Sequence, residues 1–169
     1  MVIFMFYYLN MFLIGSILGF IWETGLTFVF PDINNGLLFG PWVPVYGFGI
    51  CIIIFIERLV FNRIKVKRFY RILIMLLFIM VVVTGLEFLG GILIEKIFDK
   101  TFWDYSHFKF NIGKYIALEV TLLWGVMALG FVYVVKPLLE RILKKIPIWA
   151  SIMVFLLMII DFIFTCLEV

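Results

Sequence analysis

Glu87, Gly91 and Glu95 stand four residues apart, so on a helix they share one broad face, with the glycine leaving room between two carboxylates. Three more acids, Glu23, Glu119 and Asp161, also lie inside apolar runs, and the lysines nearest to the five, Lys96, Lys100 and Lys114, stand at the outer rim rather than embedded with them. A charged carboxylate is costly in hydrocarbon, so each must be protonated, solvated in a cavity or matched by a cation. Two polar segments carry the remaining candidates: Trp103-Asp104-Tyr105-Ser106 with Asn111, and the stretch from Asn34 through Gly40-Pro41-Trp42 and Pro44 to Tyr46-Gly47. Three chemistries are open. Carboxylates beside Trp22, Trp103 and Tyr105 suit an ammonium group or a lipid headgroup. Carboxylate and carbonyl oxygens suit a metal ion, although no ligand spacing demands one. Glu87 and Asp104 form a conceivable acid–base pair, but no nucleophile is paired with a base and His107 is the sole histidine.

Purely structural roles compete with each of these. Glu95 and Glu119 read equally well as partners of the rim lysines Lys96, Lys100 and Lys114 that fix helix register. Asp161 reads as a hydrogen-bonder between packed helices. Trp42, Trp103, Tyr105 and Tyr115 fit an aromatic belt at a membrane interface. Asp104, Ser106 and Asn111 are residue types that cap a helix or a re-entrant turn. Gly40-Pro41 and Pro44 with Gly47 make a stiff, tightly turned backbone, unusual for a mere connector.

The elements that must position these residues are apolar helices. Of 169 residues, 66% are hydrophobic, 20% aromatic and only 15% charged. Apolar runs of about 20 residues recur, the length needed to cross the hydrocarbon of a bilayer. The expected fold is all-α: one transmembrane bundle over residues 1–169, with five spans at about 4–30, 45–61, 72–98, 115–135 and 148–167. The first run is too long for a signal-peptide core and lacks a small-residue cleavage site, so it counts as a span. Pro31-Asp32 ends it, and Lys136-Pro137 is expected to end the fourth. Gly15 and Gly19 form a small-residue face that lets another helix approach closely. Cys51 and Cys166, isolated inside apolar runs, read as small core residues.

Orientation follows from the basic residues. Ten of the fourteen Lys and Arg flank or occupy the second and fourth connections, among them Arg63, Lys65, Lys67, Arg68, Lys144 and Lys145. Positive residues favour the cytoplasmic side, so the N-terminus is expected inside, the C-terminus outside and both motif loops outward. The net charge of +3 is thereby explained by topology and carries no nucleic-acid signal. At 1.5 Å per residue, Glu87 lies about 22 Å from the inner end of its helix, and Asp161 about 20 Å. Glu119 lies roughly 6 Å below the outer start of its own helix. All five embedded acids thus fall in the outer half. The two halves also share an order of acid-bearing span, Trp- and Asn-bearing loop, span and basic connection, as in a parallel repeat.

At these residues the chain resembles the ABC-transporter type IV family, also labelled CmpB, of small bacterial membrane proteins. The resemblance is carried by Trp22-Glu23, Asn34, Gly36-Leu37-Leu38, Gly40-Pro41, Pro44, Tyr46-Gly47, Gly85-Leu86-Glu87-Phe88, Gly91, Glu95, Trp103-Asp104-Tyr105-Ser106, Asn111, Gly113 and Trp124-Gly125. The family commonly has Arg after the loop asparagine, where this chain has Asn35. The resemblance implies a permease-like component of the bacterial plasma membrane. No Gly-x-x-x-x-Gly-Lys-Ser/Thr phosphate loop is present, so a separate ATPase would dock on the inner basic connections.

The expected function is a non-enzymatic membrane transport component without a cofactor. Its outward pocket would bind a cationic or zwitterionic ligand through Trp22, Glu23, Asn34, Tyr46, Glu87, Glu95, Trp103, Asp104, Tyr105, Ser106, Asn111 and Glu119. Membrane lipids and a second copy of the chain are the other expected partners. An accessory scaffold, or less favoured an outer-leaflet enzyme using a lipid or metal, is the alternative.

Overall fold

In the computed structural model, residues 2–28, 38–63, 65–101 and 103–168 are described. The described residues are mainly helical, with one two-residue strand pair: α1 (Val2–Thr27), α2 (Pro44–Arg63), α3 (Arg68–Phe98), β1 (Asn111–Ile112), β2 (Ile116–Ala117), α4 (Leu118–Gly130), a π turn (Phe131–Val135), α5 (Lys136–Leu143) and α6 (Ile148–Glu168). Among the described residues, four stretches are long and apolar enough to cross a membrane: Phe4–Thr27, Arg68–Ile97, Leu118–Leu143 and Ile148–Leu167. Much of their surface is apolar; Leu77, Phe78, Leu156, Phe162 and Phe164 are all about half exposed. In water such a surface would aggregate, whereas in a bilayer it faces lipid.

Two helix boundaries differ from expectation. Lys136-Pro137 does not end the fourth span. Proline lacks an N–H and crowds the preceding turn, and the helix absorbs this by widening one turn: the Lys136 N–H reaches back to the Phe131 carbonyl, and α5 continues to Leu143. The fourth span also starts at Leu118 rather than Tyr115, because residues 111–117 form an antiparallel hairpin pairing Asn111 with Ala117 and Ile112 with Ile116. Gly113, at φ 65°, makes its turn, and the Asn111 side-chain amide donates to the Gly113 carbonyl at 2.9 Å. Asn111 therefore shapes a hairpin and caps no helix. The first helix ends at Thr27, and Pro31-Asp32 lie outside the described residues.

The chain forms two compact units, Met1–Ile52 with Pro137–Val169 and Ile53–Lys136. In the first, α1 packs on α6. The buried Ser151 hydroxyl donates to Asn10, and Tyr7 donates to Glu140 at 2.9 Å. The small-residue face of α1 is taken by the start of α2: a Cβ on Gly15 would press on Ile50 and Gly47, and one on Gly47 would meet Phe12 and Ser16. That face is thus filled within the unit. The Val43 N–H also donates to the Ser16 carbonyl at 2.9 Å, tying the loop to α1.

In the second unit α3 packs along α4. Gly125 gives Met80 and Leu76 their room, and the Thr84 and Thr121 hydroxyls share a hydrogen bond at 2.9 Å. At the α5 end, Lys136 pairs with Glu57. The sequence hides Glu57 inside an apolar run, one residue before Arg58.

Candidate functional site

The second unit gathers most of the expected site around the loop between α3 and α4. Glu87, on α3, accepts a hydrogen bond from the Tyr105 hydroxyl at 2.8 Å, and the Trp124 indole on α4 also interacts with this carboxylate. Two turns further, Glu95 accepts from the Tyr115 hydroxyl and pairs with Lys114 at 2.7 Å. Gly91, between the two acids, lies under the Tyr115 ring, where a Cβ would overlap it. Trp103 packs edge-on to Tyr115 at 6.1 Å between centroids, and its indole nitrogen is buried without a hydrogen-bond partner. Glu119 accepts the Phe110 N–H at 3.3 Å through one oxygen, while the other is buried and unpartnered.

The hairpin holds this loop in place. The Tyr105 N–H donates to the Lys114 carbonyl at 2.8 Å, and the Leu118 N–H to the Phe110 carbonyl at 3.0 Å. Asp104 is exposed and folds back on its own segment, accepting the Ser106 N–H at 2.8 Å and the Ser106 hydroxyl. Asp104 and Ser106 therefore form a local Asx turn and cap no helix. The Ser106 hydroxyl and N–H hold the Asp104 carboxyl below the usual carboxylate range. A depressed carboxylate pKa favours the folded loop above the ordinary pKa and loses that favour as pH falls through the folded value. The protection of the Ser106 amide, its exchange rate by NMR divided into the intrinsic rate at the same pH, is expected to hold at neutral pH and to fall only as the pH drops below the usual range for aspartate. The ion pair with Glu95 acts in the opposite sense on Lys114, whose ammonium pKa is raised.

Trp22, Glu23 and Tyr46 belong to the first unit. Trp22 is 45% exposed, and Glu23 interacts through one oxygen with the Tyr46 hydroxyl. The other Glu23 oxygen and the Thr24 hydroxyl are buried with no hydrogen-bond partner. Asn34 lies outside the described residues.

Asp161, not among the residues expected at the site, has a defined task in this unit. Its carboxylate accepts the N–H groups of Phe39 and Gly40, at 3.2 and 2.9 Å, and the Trp42 indole N–H at 2.6 Å. It anchors the Gly40-Pro41-Trp42 turn. A lone embedded acid and a stiff Gly-Pro turn are both visible in sequence; their meeting, over 120 positions apart, is a product of the fold.

The residues thus read as a polar, aromatic loop end supported by helices of membrane-spanning length, the build of a helical membrane protein. The family model described as Putative ABC-transporter type IV matches residues 10–166. This protein belongs to that family. No curated protein and no solved structure gives a match. Among the described residues, no three His, Cys, Asp or Glu side chains converge as a metal site would require.

Proposed function

We propose that this protein is a permease-like component of a membrane transport system, and that the Glu87 cluster recognises a cationic or zwitterionic ligand. Glu87 carries the reading. Its carboxylate is embedded between α3 and α4, clasped by a phenol and an indole, and among the described residues no Lys or Arg pairs with it. Neutral donors orient a carboxylate without cancelling its charge, and aromatic walls around it favour an ammonium group. Trp103, Tyr105 and Glu119 complete the lining; Asp104, Ser106 and Asn111 shape the loop. The protein is not itself an enzyme in this reading. The family description supports a separate ATPase, which would engage the basic connections around Arg63–Lys67 and Arg141–Lys145.

The topology that goes with this function has five spans, with α2 as the second, the N-terminus inside and the loop ends outside the plasma membrane. The basic residues support it. A cysteine at Ser106 should react with a membrane-impermeant maleimide added to intact cells, and one at Lys144 only after permeabilisation; the reverse pattern would remove the outward site. For the site itself, Glu87→Gln is expected to weaken binding of a cationic ligand by at least about tenfold, some 1.4 kcal/mol, in purified protein. Unchanged binding would instead favour an accessory scaffold.

A further inference from the structure

The two units contain the same clasp. On α1, Gly19 and Glu23 stand four residues apart; on α3, so do Gly91 and Glu95. In each unit a tyrosine from beyond the following loop, Tyr46 or Tyr115, lays its ring over the glycine, where a Cβ would overlap it. In each, that tyrosine's hydroxyl meets the glutamate one turn on. Gly-x-x-x-Glu with a returning tyrosine is thus built twice, which gives the parallel repeat suggested by the order of spans and loops a residue-level basis.

The copies differ in what fills them. In the second unit the Lys114 ammonium is held by the Glu95 carboxylate at 2.7 Å and by the Thr101 hydroxyl at 2.9 Å, and lies 5.5 Å from the centre of the Tyr115 ring. A carboxylate, a threonine hydroxyl and a tyrosine face are what a primary ammonium needs, since it donates three hydrogen bonds and favours an aromatic face. The first unit has the same glutamate and tyrosine, Glu23 and Tyr46, but no lysine. One Glu23 oxygen and the Thr24 hydroxyl are buried and unpartnered. No base nearby in sequence can supply the missing charge: the first Lys or Arg of the chain is Arg58. The basic residues of the first unit, Arg141, Lys144 and Lys145, precede α6, whereas Asp161, about 20 Å along that helix, is the residue that reaches the loop.

We propose that the Glu23–Tyr46 clasp of the first unit binds the primary ammonium group of a ligand, in the place that Lys114 occupies in the second. The inference rests on the reading that a cationic or zwitterionic ligand enters this protein, and adds a second binding point and an amine class. A primary ammonium fits; a quaternary one, which donates no hydrogen bond, does not satisfy the open Glu23 oxygen.

The test uses n-butylammonium, the analogue of a lysine side chain, in equilibrium dialysis with the purified full-length protein. Glu23→Gln is expected to weaken binding at this site by at least about tenfold, and tetramethylammonium to compete poorly there. Lys114→Ala should create a new site of similar affinity, which Glu95→Gln in the same background removes. A gained site that Glu95→Gln abolishes is not what general misfolding would give, so this arm stands even if Glu23→Gln proves unstable. Unchanged binding in Glu23→Gln, or no gain in Lys114→Ala, would overturn the proposal. Loss in Glu87→Gln with none in Glu23→Gln would remove the second site and leave the proposed function standing; loss in Glu23→Gln alone would do the opposite.

Discussion

Gly91→Val is expected to lower the stability of the protein by about 3 kcal/mol, the upper part of the range for forcing volume into a packed contact. The Tyr115 ring occupies the space that a Cβ would need, and it is 5% exposed, so it cannot swing into open lipid without leaving its pocket. Its displacement would also break its hydroxyl's bond to Glu95 and the edge-on contact with Trp103. Gly85 on the same helix supplies the control. A Cβ there meets nothing within 4 Å, so Gly85→Ala should raise stability by roughly 0.5–1 kcal/mol through lost unfolded-chain freedom and better helix propensity. Unfolding in graded detergent denaturant, followed by circular dichroism, separates the two. If both glycines tolerated valine equally, the tyrosine clasp would have no part in holding the loop.

Asp161→Ala is expected to cost about 2–3 kcal/mol and to release the Gly40-Pro41-Trp42 turn. Hydrogen bonds to a charged acceptor are worth about 1.5–3 kcal/mol when lost singly, and three such bonds on one carboxylate share their worth. Two of the donors are backbone N–H groups and the third is an indole, so the loss is local and directly readable. Amide exchange at Gly40 should quicken and Trp42 fluorescence should shift to the red, while exchange in α3 stays unchanged. Asp161→Asn keeps an acceptor oxygen and should lose less than half as much. An alanine variant with native exchange at Gly40 would mean that the turn is self-supporting.

These two positions also mark how far the sequence could be read. The helices were legible because apolar runs of spanning length leave few alternatives, and the acids stood out because charge is rare in such runs. Gly91 reads as room between two carboxylates, but the ring that fills that room comes from Tyr115, within a hairpin that follows a 12-residue loop segment and whose turn depends on Gly113. Glu95 was readable as a partner of a rim lysine, and Lys114 is that lysine. Asp161 looked like a simple packing residue because its partners lie in a loop far away in sequence. Lys136-Pro137 read as a stop, since proline ordinarily breaks a helix; a single π turn lets this one continue. Glu57 is masked in the sequence by the seven apolar residues that precede it, and only the fold brings Lys136 to it. What the sequence leaves out is consistently the contact between distant segments.

The proposed site stands or falls on whether the protein carries a cation at its embedded carboxylates. Native mass spectrometry of the protein extracted from its own membrane in mild detergent, beside Glu87→Gln prepared identically, tests this most directly. The expected result is an amine-bearing molecule retained by the unsubstituted protein and lost from the variant, with a separate ATPase subunit in fixed ratio if the transport assembly survives extraction. Identical spectra for the two proteins, with no bound cation in either, would contradict the account.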